Sequence, residues 1–140
     1  MQRRRKRPCV HQPGPHIAPH SAAWAVTGPE RRFFFAGDTG YFDGFRRIGE
    51  AFGSFDLAAV PICAYEPVAM MKASHMDPEE AVRAALDVRA RRAIAMHYGT
   101  FDLSDEPLDE PPQRFRAAAA AQGLAAEDAW VFRIGETREF

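Results

Sequence analysis

The chain has 140 residues, room for one domain with a moderate core and not for two. Its 46% hydrophobic and 26% charged residues are those of an ordinary globular protein, and no apolar run approaches a membrane span or a signal-peptide core. The formal net charge of −1 hides an asymmetry, because Arg3-Arg4-Arg5-Lys6-Arg7 carries +5 and leaves the remainder at −6, too acidic a body for nucleic acid to be an expected partner.

Residues 1–20 hold four prolines, three histidines and hardly any apolar periodicity. They are expected to be a disordered or non-homologous basic arm before a domain of residues 21–140. His11, His16 and His20 fit no zinc spacing, and Pro13, Pro15 and Pro19 between them prevent a shared helix face. Cys9 and Cys63 lack C-x-x-C spacing, which argues against a disulfide framework or cysteine zinc site and makes a reducing cytoplasm the expected location.

Order is expected from about Ser21. Ala22 to Thr27 reads as a strand, Gly28-Pro29-Glu30 as a turn, and Arg31 to Gly37 as the next strand, together a hairpin. The aromatic run Phe33-Phe34-Phe35 stops abruptly at Ala36-Gly37, which leaves Asp38 and Thr39 at a strand's carboxyl mouth. A carboxylate there is either a turn-capping aspartate or a hard-oxygen metal ligand. Phe42, Phe45, Ile48 and Phe52 mark a helix over 42–52 that ends at Gly53-Ser54.

Phe55 to Ile62 is continuously apolar, the pattern of a strand buried on both faces. Residues 63–74 read as a loop. The helix over 78–89 is the best marked, with Asp77 as N-cap, Pro78 first and Glu79 and Glu80 in its first turn. A strand over 92–96 ends at His97-Tyr98-Gly99-Thr100, and an acid- and proline-rich surface loop over 102–112 leads to a helix over 112–122. Trp130 to Ile134 reads as the last strand, so the class is α/β or a sheet layered with helices. His97 at a strand end is either a structural hydrogen-bonder or a ligand, and His75 either an exposed loop residue or a functional one. Two separate strands delivering Asp38 and His97 to one edge favour a metal, which needs ligands converging from different elements.

Five motifs taken in order carry a resemblance. They are Phe35-Ala36-Gly37-Asp38-Thr39-Gly40-Tyr41, Val60-Pro61-Ile62 with Ala64-Tyr65-Glu66-Pro67, Lys72 with His75-Met76-Asp77-Pro78, Met96-His97-Tyr98-Gly99-Thr100-Phe101, and Asp105-Glu106-Pro107 running to Pro112. From about Trp24 onward the chain resembles the C-terminal half of a metallo-β-lactamase-fold hydrolase. Its nearest branch contains N-acyl-phosphatidylethanolamine-hydrolysing phospholipase D.

The resemblance implies an αββα sandwich with a dinuclear zinc site, of which this chain holds half: one mixed sheet layer with helices on one face. It implies that Asp38 is the carboxylate bridging both zinc ions, that His97 is a terminal metal ligand, and that His75 is a catalytic histidine beside the substrate. The family's His-x-His-x-Asp-His loop does not occur in these 140 residues, and Val68-Ala69-Met70 stands where the family continues with a basic-aromatic segment. The expectation is therefore a fragment of a zinc-dependent hydrolase acting on a phosphodiester, lactone or phospholipid-type ester, inactive as it stands. The alternatives are a half-domain completed by a partner chain through an exposed sheet face, or a non-catalytic interaction protein.

Overall fold

The computed structural model describes the backbone of residues 5–9 and the whole of residues 22–140. Six strands form one sheet in sequential order: β1 (Arg5–Cys9), β2 (Ala23–Thr27), β3 (Arg32–Phe35), β4 (Leu57–Pro61), β5 (Ala93–Met96) and β6 (Ala129–Trp130). The first three pair antiparallel and the rest parallel. Parallel neighbours need long crossovers, which here carry the helices. Helix α1 (Gly44–Phe52) lies between β3 and β4, α2 (Val68–Met71) and α3 (Pro78–Asp87) between β4 and β5, and α4 (Glu110–Ala121) between β5 and β6.

Strand alternation sorts the sheet into two faces. Ala25, Phe34, Ala58, Val60, Ala93 and Ala95 point into one core with Phe45 and Ile48 of α1, Val82 and Ala85 of α3, and Phe115 of α4. The small residues of the strands let the helices sit close, and Phe34 fills the centre, edge-on to Phe45 and tilted against Phe55. Gly49 belongs to the same packing, because a Cβ there would lie 2.4 Å from the carbonyl oxygen of Asp87. Helix α3 begins as its sequence demands, with the Asp77 side chain accepting the Glu80 amide at 2.7 Å and Pro78 in the first turn.

The opposite face carries the register-paired Trp24 and Phe35, 42% and 38% exposed, with Val26, Phe33, Ile94 and Met96 half-buried. It was expected to be bare. The C-terminal segment lies on part of it instead: Phe140 packs on Phe33 at 5.9 Å and Arg138 stacks over Trp130 and Phe132.

Other elements differ from the sequence expectation in extent. Arg5–Cys9, expected within an unstructured arm, pairs as β1 along β2, while residues 10–21, with His11, His16 and His20, lie outside the described residues. Three of the five β1 residues are basic, which hides strand character behind a charge run. The loop expected over 63–74 contains α2. The last strand is only two residues long, because Phe132 leaves the ladder and its carbonyl accepts the Tyr98 hydroxyl at 3.0 Å.

Candidate metal centre

Asp38 follows β3, His97 follows β5, and His75 precedes α3, so three elements deliver three polar groups to one end of the sheet. Gly37 turns the chain out of β3 at φ +71°, where a Cβ would also strike the carbonyl oxygen of Ala22. Gly40 then lets the Asp38 loop press onto the segment before His75, since a Cβ would lie 2.7 Å from the Lys72 carbonyl oxygen and 3.0 Å from that of Ala73. Tyr41 anchors the loop's far end by donating to Asp87 while Arg83 stacks on its ring. Burial, reinforced by Asp87, pushes its phenol up to about 12.

His75 Nε2 lies 3.3 Å from Asp38 Oδ1, and His97 Nε2 lies 3.8 Å from Asp38 Oδ2. The two imidazoles are near parallel with centroids 5.8 Å apart. One donor atom from each of the three side chains lies within 4.8 Å of the others. A tetrahedral zinc with bonds of about 2.0–2.2 Å separates its donors by roughly 3.3–3.6 Å, which the His75–Asp38 distance of 3.3 Å matches and the His97–Asp38 distance of 3.8 Å approaches. Among the described residues His75 Nδ1 is buried without a partner, which a histidine kept for structure alone avoids. His97 holds a left-handed backbone at φ +60°, a conformation that costs a side-chain-bearing residue energy and that collects at functional sites.

The loop after β4 borders this centre on both sides. Cys63 and Ala64 line a largely apolar cavity of about 280 Å³ together with His97, Tyr98 and Phe101. Tyr65 and Glu66 line a small polar cleft with Lys72, His75 and Arg114. Tyr65 donates to Glu110 at 2.7 Å and lies under Arg114, whose guanidinium also grips Glu79 of α3 at 2.6 Å. Burial, with Glu110 as acceptor, pushes the Tyr65 phenol well above its usual range.

Glu106 is the residue that sequence reasoning missed. It lies in the segment read as a surface loop, yet it is only 5% exposed. Its Oε1 accepts from the Ala64 amide at 2.6 Å, the Tyr65 amide at 3.2 Å, the Cys63 thiol at 3.2 Å and the Ser104 hydroxyl at 2.8 Å. Its Oε2 accepts the Glu66 amide at 3.0 Å. Burial alone would raise its pKa, but the Glu66 amide, the Ser104 hydroxyl and the Cys63 thiol outweigh that cost and hold it at about 2. The available signal was Ala64-Tyr65-Glu66-Pro67 directly after an apolar strand, a turn whose amides need an acceptor.

A sequence profile of the beta-lactamase superfamily domain matches residues 7–98, from within the basic arm to just past His97. The N-acyl-phosphatidylethanolamine-hydrolyzing phospholipase D 1 of Caenorhabditis elegans is 50% identical over 95 residues, covering 64% of this chain and 27% of that protein. The mitochondrial N-acyl-phosphatidylethanolamine-hydrolyzing phospholipase D of Saccharomyces cerevisiae is 41% identical over 109 residues, covering 76% of this chain and 23% of that protein. The chain thus spans about a quarter of the length of these curated relatives. Among solved structures, Igni18, a metallo hydrolase from Ignicoccus hospitalis, superposes with a TM-score of 0.65 at 27% identity, over 96% of this chain and 52% of that one.

Proposed function

The chain belongs to the beta-lactamase superfamily, and from that membership we propose that it is the part of a metal-dependent hydrolase that carries Asp38, His75 and His97. The observation that carries the proposal is the meeting of these three groups at one end of the sheet, each from a different element. Asp38 and His97 would hold the metal, zinc being the ion their carboxylate and histidine donors suit. A cation held there would supply Lewis-acid polarisation of an ester or phosphoryl oxygen and an activated water near neutral pH. In a complete site Asp38 would serve both metal ions, with further ligands from a His-x-His-x-Asp-His loop that does not occur in these residues. One Asp and one His are too few for two ions, which ask for about three protein ligands each.

His75 faces the substrate in this reading. From 3.3 Å beside Asp38 it is placed to steady a substrate anion or to protonate the leaving oxygen. The substrate is a phosphodiester, a phospholipid-type ester or a lactone, and the names of the relatives favour the phospholipid. A second form of the proposal has another polypeptide complete the site. It is favoured by Trp24 and Phe35, which stay about two-fifths exposed on the face away from the helices. Among the described residues no helix is long and apolar enough to cross a membrane. We propose the cytoplasm as the location on the cysteine usage alone, with Cys63 a free thiol.

The test is metal content followed by reconstitution. The purified chain should retain no more than one zinc per molecule and show negligible hydrolysis of phosphodiesters or lactones. Supplying the upstream half, in cis or as a second chain, should create a zinc-dependent hydrolase that Asp38→Ala and His97→Ala abolish. His75→Ala should keep its metal and turn over about 10²–10⁴-fold more slowly. Two tightly held zinc ions in the 140-residue chain, or near-full activity of Asp38→Ala with metal bound, would overturn the assignment.

A further inference from the structure

A buried carboxylate that the proposed chemistry does not use, Glu106, gathers five hydrogen bonds at the loop after β4. Three successive amides, those of Ala64, Tyr65 and Glu66, converge on Glu106, joined by the Cys63 thiol and the Ser104 hydroxyl. Successive amides pointing inward form a concavity that binds an anion, and the left-handed Ala64, at φ +67°, is the kind of residue that creates one. Here the anion is the chain's own side chain, reached from 40 residues or more along the sequence. Asp105 adds a backbone bond from its amide to the Glu66 carbonyl oxygen at 3.3 Å, so the two segments are joined twice.

The loop built around Glu106 is the partition of the site. Its first half, Cys63 and Ala64, walls the cavity that contains His97. Its second half, Tyr65 and Glu66, walls the cleft that contains His75. It leaves β4 beside β5, where the Ile62 amide still bonds the Met96 carbonyl oxygen at 3.1 Å, one residue before His97. A displacement of this loop therefore changes the surroundings of both imidazoles. We propose that Glu106 is a positioning residue, an internal anion whose five hydrogen bonds set the wall between the His75 and His97 cavities and so the space offered to a substrate at each. The proposal rests on the metal-site reading only for what fills those cavities.

Two-dimensional NMR of the metal-free 140-residue chain tests it. In Glu106→Ala the Ala64, Tyr65 and Glu66 amides should move upfield as their acceptor is lost, and the ring resonances of both His75 and His97 should shift with them. Millimolar acetate should refill the concavity and return amides and rings toward the wild-type positions, whereas acetamide, of the same shape but neutral, should not. Glu106→Gln keeps the volume and should show the same ring shifts if Glu106→Ala does not fold. Ring resonances that stay in place in the variants, or recovery with acetamide as complete as with acetate, would overturn the proposal. Since no metal is present, that failure leaves the metal-site reading to the zinc measurement.

Discussion

Protonating Glu106 should remove a defined part of the stability. In the folded chain its carboxyl is held at about 2, against an ordinary 4.5. The pKa is depressed on folding, so the stabilisation is fully present above about pH 4.5 and is lost as the pH falls through about 2. The difference of about 2.5 units, at about 1.36 kcal/mol each, makes the ionised carboxylate worth about 3 kcal/mol. Glu79, lowered because the cost of burial is outweighed by its hydrogen bonds to Arg114, and Glu110, lowered by the Tyr65 hydroxyl and Arg114, also add acid-side dependence, so the wild-type curve alone does not isolate Glu106. The difference from Glu106→Gln does. Urea unfolding of both proteins should show a gap of about 3 kcal/mol near neutral pH, plus a pH-independent cost for turning a donor NH2 toward the Glu66 amide that Oε2 accepts in the wild type. That gap should narrow by about 2 kcal/mol as the pH falls toward 3. A gap that does not change over this window would mean that the concavity does not hold an ionised carboxylate.

Two further substitutions test the geometry of the metal centre. His97→Gly relieves a left-handed residue at φ +60°, which costs about 1–2 kcal/mol, against about 0.5–1 kcal/mol of added chain entropy. Thermal or urea melts should therefore find it as stable as wild type or up to about 1 kcal/mol more so, while calorimetric zinc titration finds binding lost. A drop of several kcal/mol would show that the ring is structural. Gly40→Ala pushes a methyl to 2.7 Å from the Lys72 carbonyl oxygen and should cost about 1–3 kcal/mol. Because it parts the Asp38 loop from the His75 segment, zinc affinity should fall even though no ligand is changed. Unaltered affinity would sink that account of Gly40.

How much of this was legible in the chain differs from residue to residue. Helix α3 was readable because its signals are local: an N-cap, a proline in the first turn and acids beside the dipole act within one turn. Strand β4 was readable because every one of its residues is buried, a pattern only an interior strand repays. Asp38 could be set at a strand mouth because Gly37 and Gly40 announce the turn around it. Along β1 and β6 the same kind of inference failed, since strand pairing lies in the partner. Arg5–Cys9 is a strand by virtue of β2, and β6 stops where the Tyr98 side chain takes over the Phe132 carbonyl.

Tertiary structure alone decided two things. One is how near His75 comes to Asp38, 3.3 Å, which depends on how the chain before α3 lies against the Asp38 loop. The other is Glu106, one of several acids in a segment rich in them. Its burial follows from amides some 40 residues earlier that only the folded chain turns toward it. Local periodicity records which face of an element is apolar. It carries no record of which distant group an element will meet, and the ionisation of Glu106 and the shape of the site both depend on such a meeting.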